Sequence, residues 1–205
     1  MGDSHAAKFL WWYYEHPEGN EYVLHGLGGI SAYSFASNDT VIARDAREVF
    51  SQIHTTDKEL ILMVLGDGDC RVHLYEHHRR DNVSLESLIN DTIRRYGAFI
   101  STVDKPIAIL DVPPAQRIEE QYDFEYYGSR DERAQIAVMF NSALKKWCNE
   151  HGILFIELHP HISDSRGWLK DEYAHPDGAH ILHSAVQFVD EVISDYALRI
   201  GGNDE

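Results

Sequence analysis

The sequence predicts an α/β protein, a three-layer sandwich of helices around a mainly parallel sheet. Two observations carry this. Three continuous apolar runs of strand length, residues 59–65, 105–112 and 153–158, have no polar alternation, as expected of strands buried on both faces. Between and after them lie long stretches with apolar residues at helical spacing, so that strands and helices alternate along the chain.

The elements follow in order. Residues 6–14 are apolar and aromatic and read as a helix, closed by the breakers His16-Pro17-Glu18-Gly19-Asn20. Residues 21–25 form a short strand running into the glycine-rich turn Gly26-Leu27-Gly28-Gly29. Residues 41–54 carry Val41, Ala43, Ala46, Val49, Phe50 and Ile53 on one helical face. The strand at 59–65 empties into a loop, Gly66-Asp67-Gly68-Asp69-Cys70-Arg71-Val72-His73, and such carboxyl-end loops carry function in open α/β sheets. Residues 82–104 are helical, with Ser84 and Ser87 near the start. The 105–112 strand is closed by Pro113-Pro114, and the polar, aromatic segment 115–129, with Tyr122, Phe124, Tyr126 and Tyr127, is either a lid, a sugar-stacking wall or simple packing. Residues 131–151 are the next helix, stopped by Gly152, and residues 181–200 the last. With no repeat and no low-complexity linker, residues 1–200 make one domain and 201–205 a flexible tail.

Composition narrows the function. The chain has 205 residues, 43% hydrophobic and 25% charged, as in a soluble globular domain. Its net charge of −16, without a Lys/Arg-rich block, makes nucleic acid a poor partner. No stretch approaches the roughly 18 apolar residues of a membrane span, and the start lacks a basic region followed by an apolar one. A cytoplasmic protein without membrane contact is expected. Cys70 and Cys148 cannot build a disulfide framework, so a reducing compartment is the simpler reading.

Chemistry concentrates at the two chain ends. Gly2 allows a sharp turn, and Ser4 stands at the mouth of the first helix, either as an N-cap or as a nucleophile in the positive end of the helix dipole. Near the other end, Asp177-Gly178-Ala179-His180 places a carboxylate three residues before a histidine. It can accept from the imidazole Nδ1–H and leave Nε2 as an outward-facing base. Gly2-Asp3-Ser4 resembles the opening motif, and Asp177-x-x-His180 the closing motif, of the SGNH or GDSL-type hydrolases, over residues 2 to about 185. The resemblance implies a flavodoxin-like sheet and a serine hydrolase with Ser4, His180 and Asp177 as its triad and no cofactor.

The same resemblance implies an oxyanion and substrate-binding set. A glycine amide donates to the oxyanion, and Gly28 or Gly29 is the matching position. The family's third motif is glycine, any residue, asparagine, aspartate; here Gly66 and Asp69 fit, while Gly68 replaces the asparagine. The stretch looks more like a branch with a Gly-x-x-Asp-Cys-Arg motif. Arg71 then either supplies the missing donor or pairs with Asp67 or Asp69. In the family an apolar strand leads into the serine turn, whereas only Met1 precedes Gly2 here. A fragment or misplaced start is the expected explanation, with a substitute strand or a degenerate protein as the others.

The expected function is cleavage of an ester, a small O-acyl group, on a carbohydrate or another small polar molecule. Two other readings stand beside it. One is a metal-dependent hydrolase drawing on the 13 histidines, with ligands among His73, His77, His159, His161, Asp177 and His180. The other is a non-catalytic binding module on a hydrolase scaffold. Oligomeric state is not legible.

Overall fold

The structure, a computed structural model, describes residues 1–27, 30–35, 41–53, 59–117 and 125–201. Its centre is a parallel sheet in which β1 (Ile61–Met63), β2 (Ile107–Leu110) and β3 (Leu154–Ile156) lie side by side in that order. Ile61 pairs with Ile107, and Ala108 with Leu154. Each strand is the middle of one of the three apolar runs.

The chain start extends this sheet. Gly2 bridges in parallel to Val64 on one side and to Gly26 on the other. The rungs run from Val64 N–H to the Met1 carbonyl at 2.9 Å, from Asp3 N–H to the Val64 carbonyl at 3.0 Å, and from Leu27 N–H to the Gly2 carbonyl at 2.8 Å. In space the segments therefore stand second, first, third, fourth and fifth in chain order, which is the flavodoxin-like order. The strand expected over 21–25 is reduced to the single bridge at Gly26. Only Met1 to Asp3 pair beside it, and a groove of about 630 Å³ opens between residues 21–25 and 59–62.

Eight helices flank the sheet among the described residues: α1 (Ala7–Glu15), α2 (Ala32–Phe35), α3 (Val41–Gln52), α4 (Leu74–Asp81), α5 (Leu85–Ile100), α6 (Arg130–His151), α7 (His159–Ile162) and α8 (Gln187–Gly201). Strand side chains alternate between two cores. Ile61, Met63, Ile107 and Ile109 pack under Phe50 of α3, Ile93 and Tyr96 of α5, and Phe140 and Leu144 of α6. Leu62, Val64, Ala108, Leu110 and Ile156 pack on the opposite face against Phe9 of α1, Ile162 of α7 and Val189 of α8. This is the three-layer sandwich that periodicity predicts.

Local signals set the helix ends. The Ser84 hydroxyl accepts from Ser87 N–H at the start of α5, Ser129 and Glu132 form a reciprocal capping box on α6, and Gly152 closes α6 at φ 67°. The loop expected over 66–73 is instead a π-turn, Asp69–His73, continuous with α4. The last helix begins six residues later than expected, because Ile181 is held in a bridge to Ala174 and residues 183–186 form a 3₁₀ turn. Gly201 is the final residue of α8, and residues 202–205 lie outside the described set. Among the described residues no helix is long and apolar enough to cross a membrane. Cys70 and Cys148 are both buried and free.

Candidate active site

Ser4 is placed by the two residues before it. A Cβ on Gly2 would lie 2.1 Å from the Val64 carbonyl oxygen, so only glycine lets the chain pass this close to the strand above. Asp3 then caps the short 3₁₀ turn Ser4–Ala6, its Oδ1 accepting from His5 N–H at 2.9 Å. Capping thus falls to Asp3, which leaves the exposed Ser4 hydroxyl free for another partner. That partner is His180: Ser4 Oγ lies 2.7 Å from His180 Nε2, across 176 residues of sequence.

The imidazole is held by its own loop. His180 Nδ1 lies 2.8 Å from Asp177 Oδ2, while Asp177 Oδ1 accepts from the amides of Ala179 and His180 at 3.0 Å each. Gly178, at φ 73°, makes the reversal possible, and His175 N–H closes the loop on the His180 carbonyl at 2.9 Å. The tautomer that satisfies both contacts carries its proton on Nδ1 and accepts the Ser4 proton on Nε2. Burial, and next the charge of nearby His5, push the His180 pKa below its ordinary value despite Asp177. Burial alone would raise the Asp177 pKa, but the Ala179 amide, the His180 imidazole and the His180 amide hold it well below the usual range. At neutral pH the pair is carboxylate and neutral imidazole, which is the form that takes a proton from a hydroxyl.

A second histidine, not foreseen, reaches the same carboxylate. His175 Nδ1 is 2.9 Å from Asp177 Oδ2 and 3.3 Å from the Asp177 amide nitrogen. One nitrogen cannot accept from the amide and donate to the carboxylate at once. With its proton on Nδ1 the ring donates to the carboxylate, and with its proton on Nε2 it accepts from the amide.

Behind Ser4 lies a buried charge cluster that the sequence reading also missed. His5 is 2% exposed, with its ring centroid 5.1 Å from that of His180. Its Nε2 is 3.6 Å from Asp67 Oδ2, an ion-pair distance beyond hydrogen-bonding reach. The same Asp67 oxygen accepts from Arg71 Nε at 3.1 Å. Burial resists charge on both partners. Even so, Asp67 raises the His5 pKa, while His5 and then Arg71 hold the Asp67 carboxyl well below the ordinary range. Asp3 is pushed up to about 6, first by burial and then, against the His5 charge, by Asp67. Only a polar residue opening an apolar helix marked His5 in the sequence, and nothing local tied it to residue 67.

The remaining expected site residues divide. Arg71 sits in the π-turn, bonded through Nε to Asp67 and through Nη1 to the Glu125 carbonyl, so the pairing with Asp67 is present; its Nη2 has no partner among the described residues. Asp69 is fully buried and accepts from the amides of Ala32 at 2.6 Å and Tyr33 at 3.2 Å. Burial pushes its pKa up to about 7. Asp69 therefore anchors the start of α2 rather than presenting a free carboxylate. A side chain at Gly68 would meet nothing within 4 Å. Gly28 and Gly29 lie outside the described residues, as do Tyr122 and Phe124.

Away from this cluster, several histidines have separate partners. His77 pairs with Asp81, His78 Nδ1 meets the Val83 carbonyl, His159 Nδ1 meets the Val112 carbonyl, and His161 stacks on Phe188. Among the described residues no three His, Cys, Asp or Glu side chains gather as metal ligands.

No family model and no curated protein matches the sequence. Solved structures do match, over nearly the whole chain. A protein provisionally named an acylhydrolase, from Bacteroides fragilis NCTC 9343, is 16% identical with a TM-score of 0.62, covering 98% of this chain and 85% of its own. A GDSL-like lipase from Bacteroides thetaiotaomicron VPI-5482 is 14% identical with a TM-score of 0.60, covering 98% and 86%. The acetyl xylan esterase AlAXEase is 12% identical with a TM-score of 0.56, covering 95% and 96%. Identities this low speak for a shared backbone and not for a shared substrate. With its five-segment parallel order and the serine turn beside Val64, the chain has the fold of the SGNH, or GDSL-type, hydrolases.

Proposed function

We propose that the chain is a serine esterase that removes a small O-acyl group from a polar alcohol. The observation that carries this reading is the relay from Ser4 Oγ to His180 Nε2 at 2.7 Å and from His180 Nδ1 to Asp177 Oδ2 at 2.8 Å. His180 takes the Ser4 proton as Oγ bonds to the ester carbonyl carbon, and Asp177 steadies the imidazolium that forms. The resulting oxyanion meets the Ser4 amide, which has no acceptor among the described residues at the first position of its turn. The Gly28 or Gly29 amide and the Arg71 guanidinium are the other donors assigned to it.

Collapse of this intermediate breaks the bond to the alcohol, which leaves with the proton from His180. Water, deprotonated by the same imidazole, then attacks the acyl-enzyme, and Ser4 recovers its proton as the acid departs. A carbohydrate alcohol is the assigned class, supported by the acetyl xylan esterase among the similar structures and by the exposed Tyr127 and half-buried Tyr126 on the 125–128 segment. Nucleic acid is not a substrate for a chain with a net charge of −16.

Ser4→Ala should abolish turnover of 4-nitrophenyl acetate and labelling by a fluorophosphonate. Undiminished turnover would rule out the mechanism. Absence of both activities in the unaltered protein would leave the non-catalytic reading, which the glycine at position 68 favours.

A further inference from the structure

Beside Arg71 lies a buried guanidinium with no carboxylate partner among the described residues. Arg133, in the first turn of α6, is 5% exposed. Among the described residues its Nη1 and Nη2 donate only to the carbonyls of Gly128 at 3.3 Å and Gln116 at 3.0 Å, and its Nε has no partner. Among the described residues no carboxylate lies within ion-pair distance of it. Gln116, 3% exposed, likewise has no partner for its Nε2 donor among the described residues. Arg130 is bonded to the carbonyls of Ala115 and Leu169, and the charges of Asp164 and Asp171 act on it. The fields of Arg130 and Arg71 both act on Arg133. Arg71 thus has the ionised Asp67 as its partner, while the buried Arg133 has no paired carboxylate among the described residues, in a protein whose net charge is −16. Buried donors left open and cations left unpaired each carry a desolvation cost that an anion would offset.

We propose that Arg71, Arg133 and Gln116 form a subsite for a carboxylate carried by the ester substrate. This rests on the esterase reading and adds to it the charge of the substrate. Arg71 brings the subsite next to the reacting serine, because Asp67 touches both Arg71 and His5, the residue after Ser4. Entry requires the half-buried Tyr126 ring, 4.7 Å above the Arg133 guanidinium, to turn aside. A cation–π contact is weaker than the charge-assisted pair that replaces it.

The test compares two esters of similar length, 4-nitrophenyl hydrogen succinate and 4-nitrophenyl butyrate. Their kcat/KM ratio cancels differences in folded fraction between variants. The unaltered protein should favour the anionic ester by about tenfold or more, equivalent to about 1.4 kcal/mol. Arg133→Met should bring the ratio close to unity, and Gln116→Met, which leaves the Gln116 carbonyl and hence the Arg133 contact in place, should lower it about threefold. Both variants should keep their rate on the butyrate. A ratio of one in the unaltered protein, or a ratio that neither variant changes, overturns the proposal. If neither ester is turned over, calorimetry on Ser4→Ala decides. Binding of monomethyl succinate but not methyl butyrate, lost on adding Arg133→Met, supports the subsite while the esterase reading falls; no selective binding overturns the subsite as well.

Discussion

Replacing Asp67 by asparagine removes one charge and almost no volume from the group that joins His5 to Arg71. Asp67 is 8% exposed and lies 3.1 Å from Arg71 Nε and 3.6 Å from His5 Nε2. At an effective dielectric constant of about 20, unit charges about 4 Å apart interact by about 4 kcal/mol. Deleting one partner of a buried pair costs about 3 to 5 kcal/mol, because the survivor stays desolvated. Asparagine keeps a carbonyl that accepts from Arg71 Nε, so the lower end, about 3 kcal/mol, is expected. Urea unfolding reads this directly: with a slope of about 2 kcal/mol per molar, the midpoint falls by about 1.5 M. The pH dependence is the sharper part. The Asp67 pKa is depressed, so its contribution is present above its unfolded pKa and fades as pH falls through the folded one. The His5 pKa is raised, so its contribution is complete below an unfolded value of about 6.5 and fades as pH rises through the folded one. The couple is therefore strongest on the mildly acidic side of neutrality, and stability should decline from there toward alkaline pH. Asp67→Asn should flatten or invert that decline, because burial alone lowers the His5 pKa. A variant within about 1 kcal/mol of the parent at about pH 6, with the parent's slope through neutral pH, would refute the coupling.

Three further outcomes follow from the site. Asp177→Asn should cut turnover of an aryl ester by about 10⁴-fold at nearly unchanged thermal stability, since the amide no longer enforces the Nδ1–H tautomer; near-parental turnover would take Asp177 out of the proton path. The acidic limb of kcat/KM should be centred below the ordinary histidine value of about 6.5, because burial and then His5 lower the His180 pKa and only the neutral ring accepts a proton. A limb centred above about 7 contradicts that assignment. Gly2→Ala places a methyl 2.1 Å from the Val64 carbonyl oxygen and should cost about 3 kcal/mol in urea unfolding, with a larger proportional loss of activity. An equally stable, equally active variant would show that the strand yields.

What was legible in the sequence was local. The Asp177 to His180 couple spans three residues and closes in one turn, so spacing alone foretells it. The buried strands announce themselves because both faces must be apolar. The glycine before Ser4 and the helix after it singled the residue out but left an N-cap and a nucleophile both open, and the glycine acts through its approach to Val64 rather than through a turn that other residues could not make. What was illegible depends on distant pairing. Asp67 meets His5 across 62 positions, and no periodicity links them. Asp69 fits a motif letter, but a motif does not say which way a side chain points. Here both oxygens turn inward to α2, at the head of a π-turn whose extra residue breaks the helical register.

The two halves of the site are held by unlike means, and this sets the order in which the site should fail. The Asp177–His180 couple is closed by hydrogen bonds within residues 175–180 and tied down by the Ala174 to Ile181 bridge. It keeps its geometry as long as that loop survives. Ser4 has only the short turn that Asp3 caps as a local frame. Its position is set by the rungs that Met1, Gly2 and Asp3 make with Val64 and Leu27, at the edge of a groove where the sheet carries no further pairing among the described residues. Loosening those rungs moves the hydroxyl and leaves the acid–base couple intact, so the 2.7 Å contact between Ser4 and His180 should open before the 2.8 Å contact between His180 and Asp177.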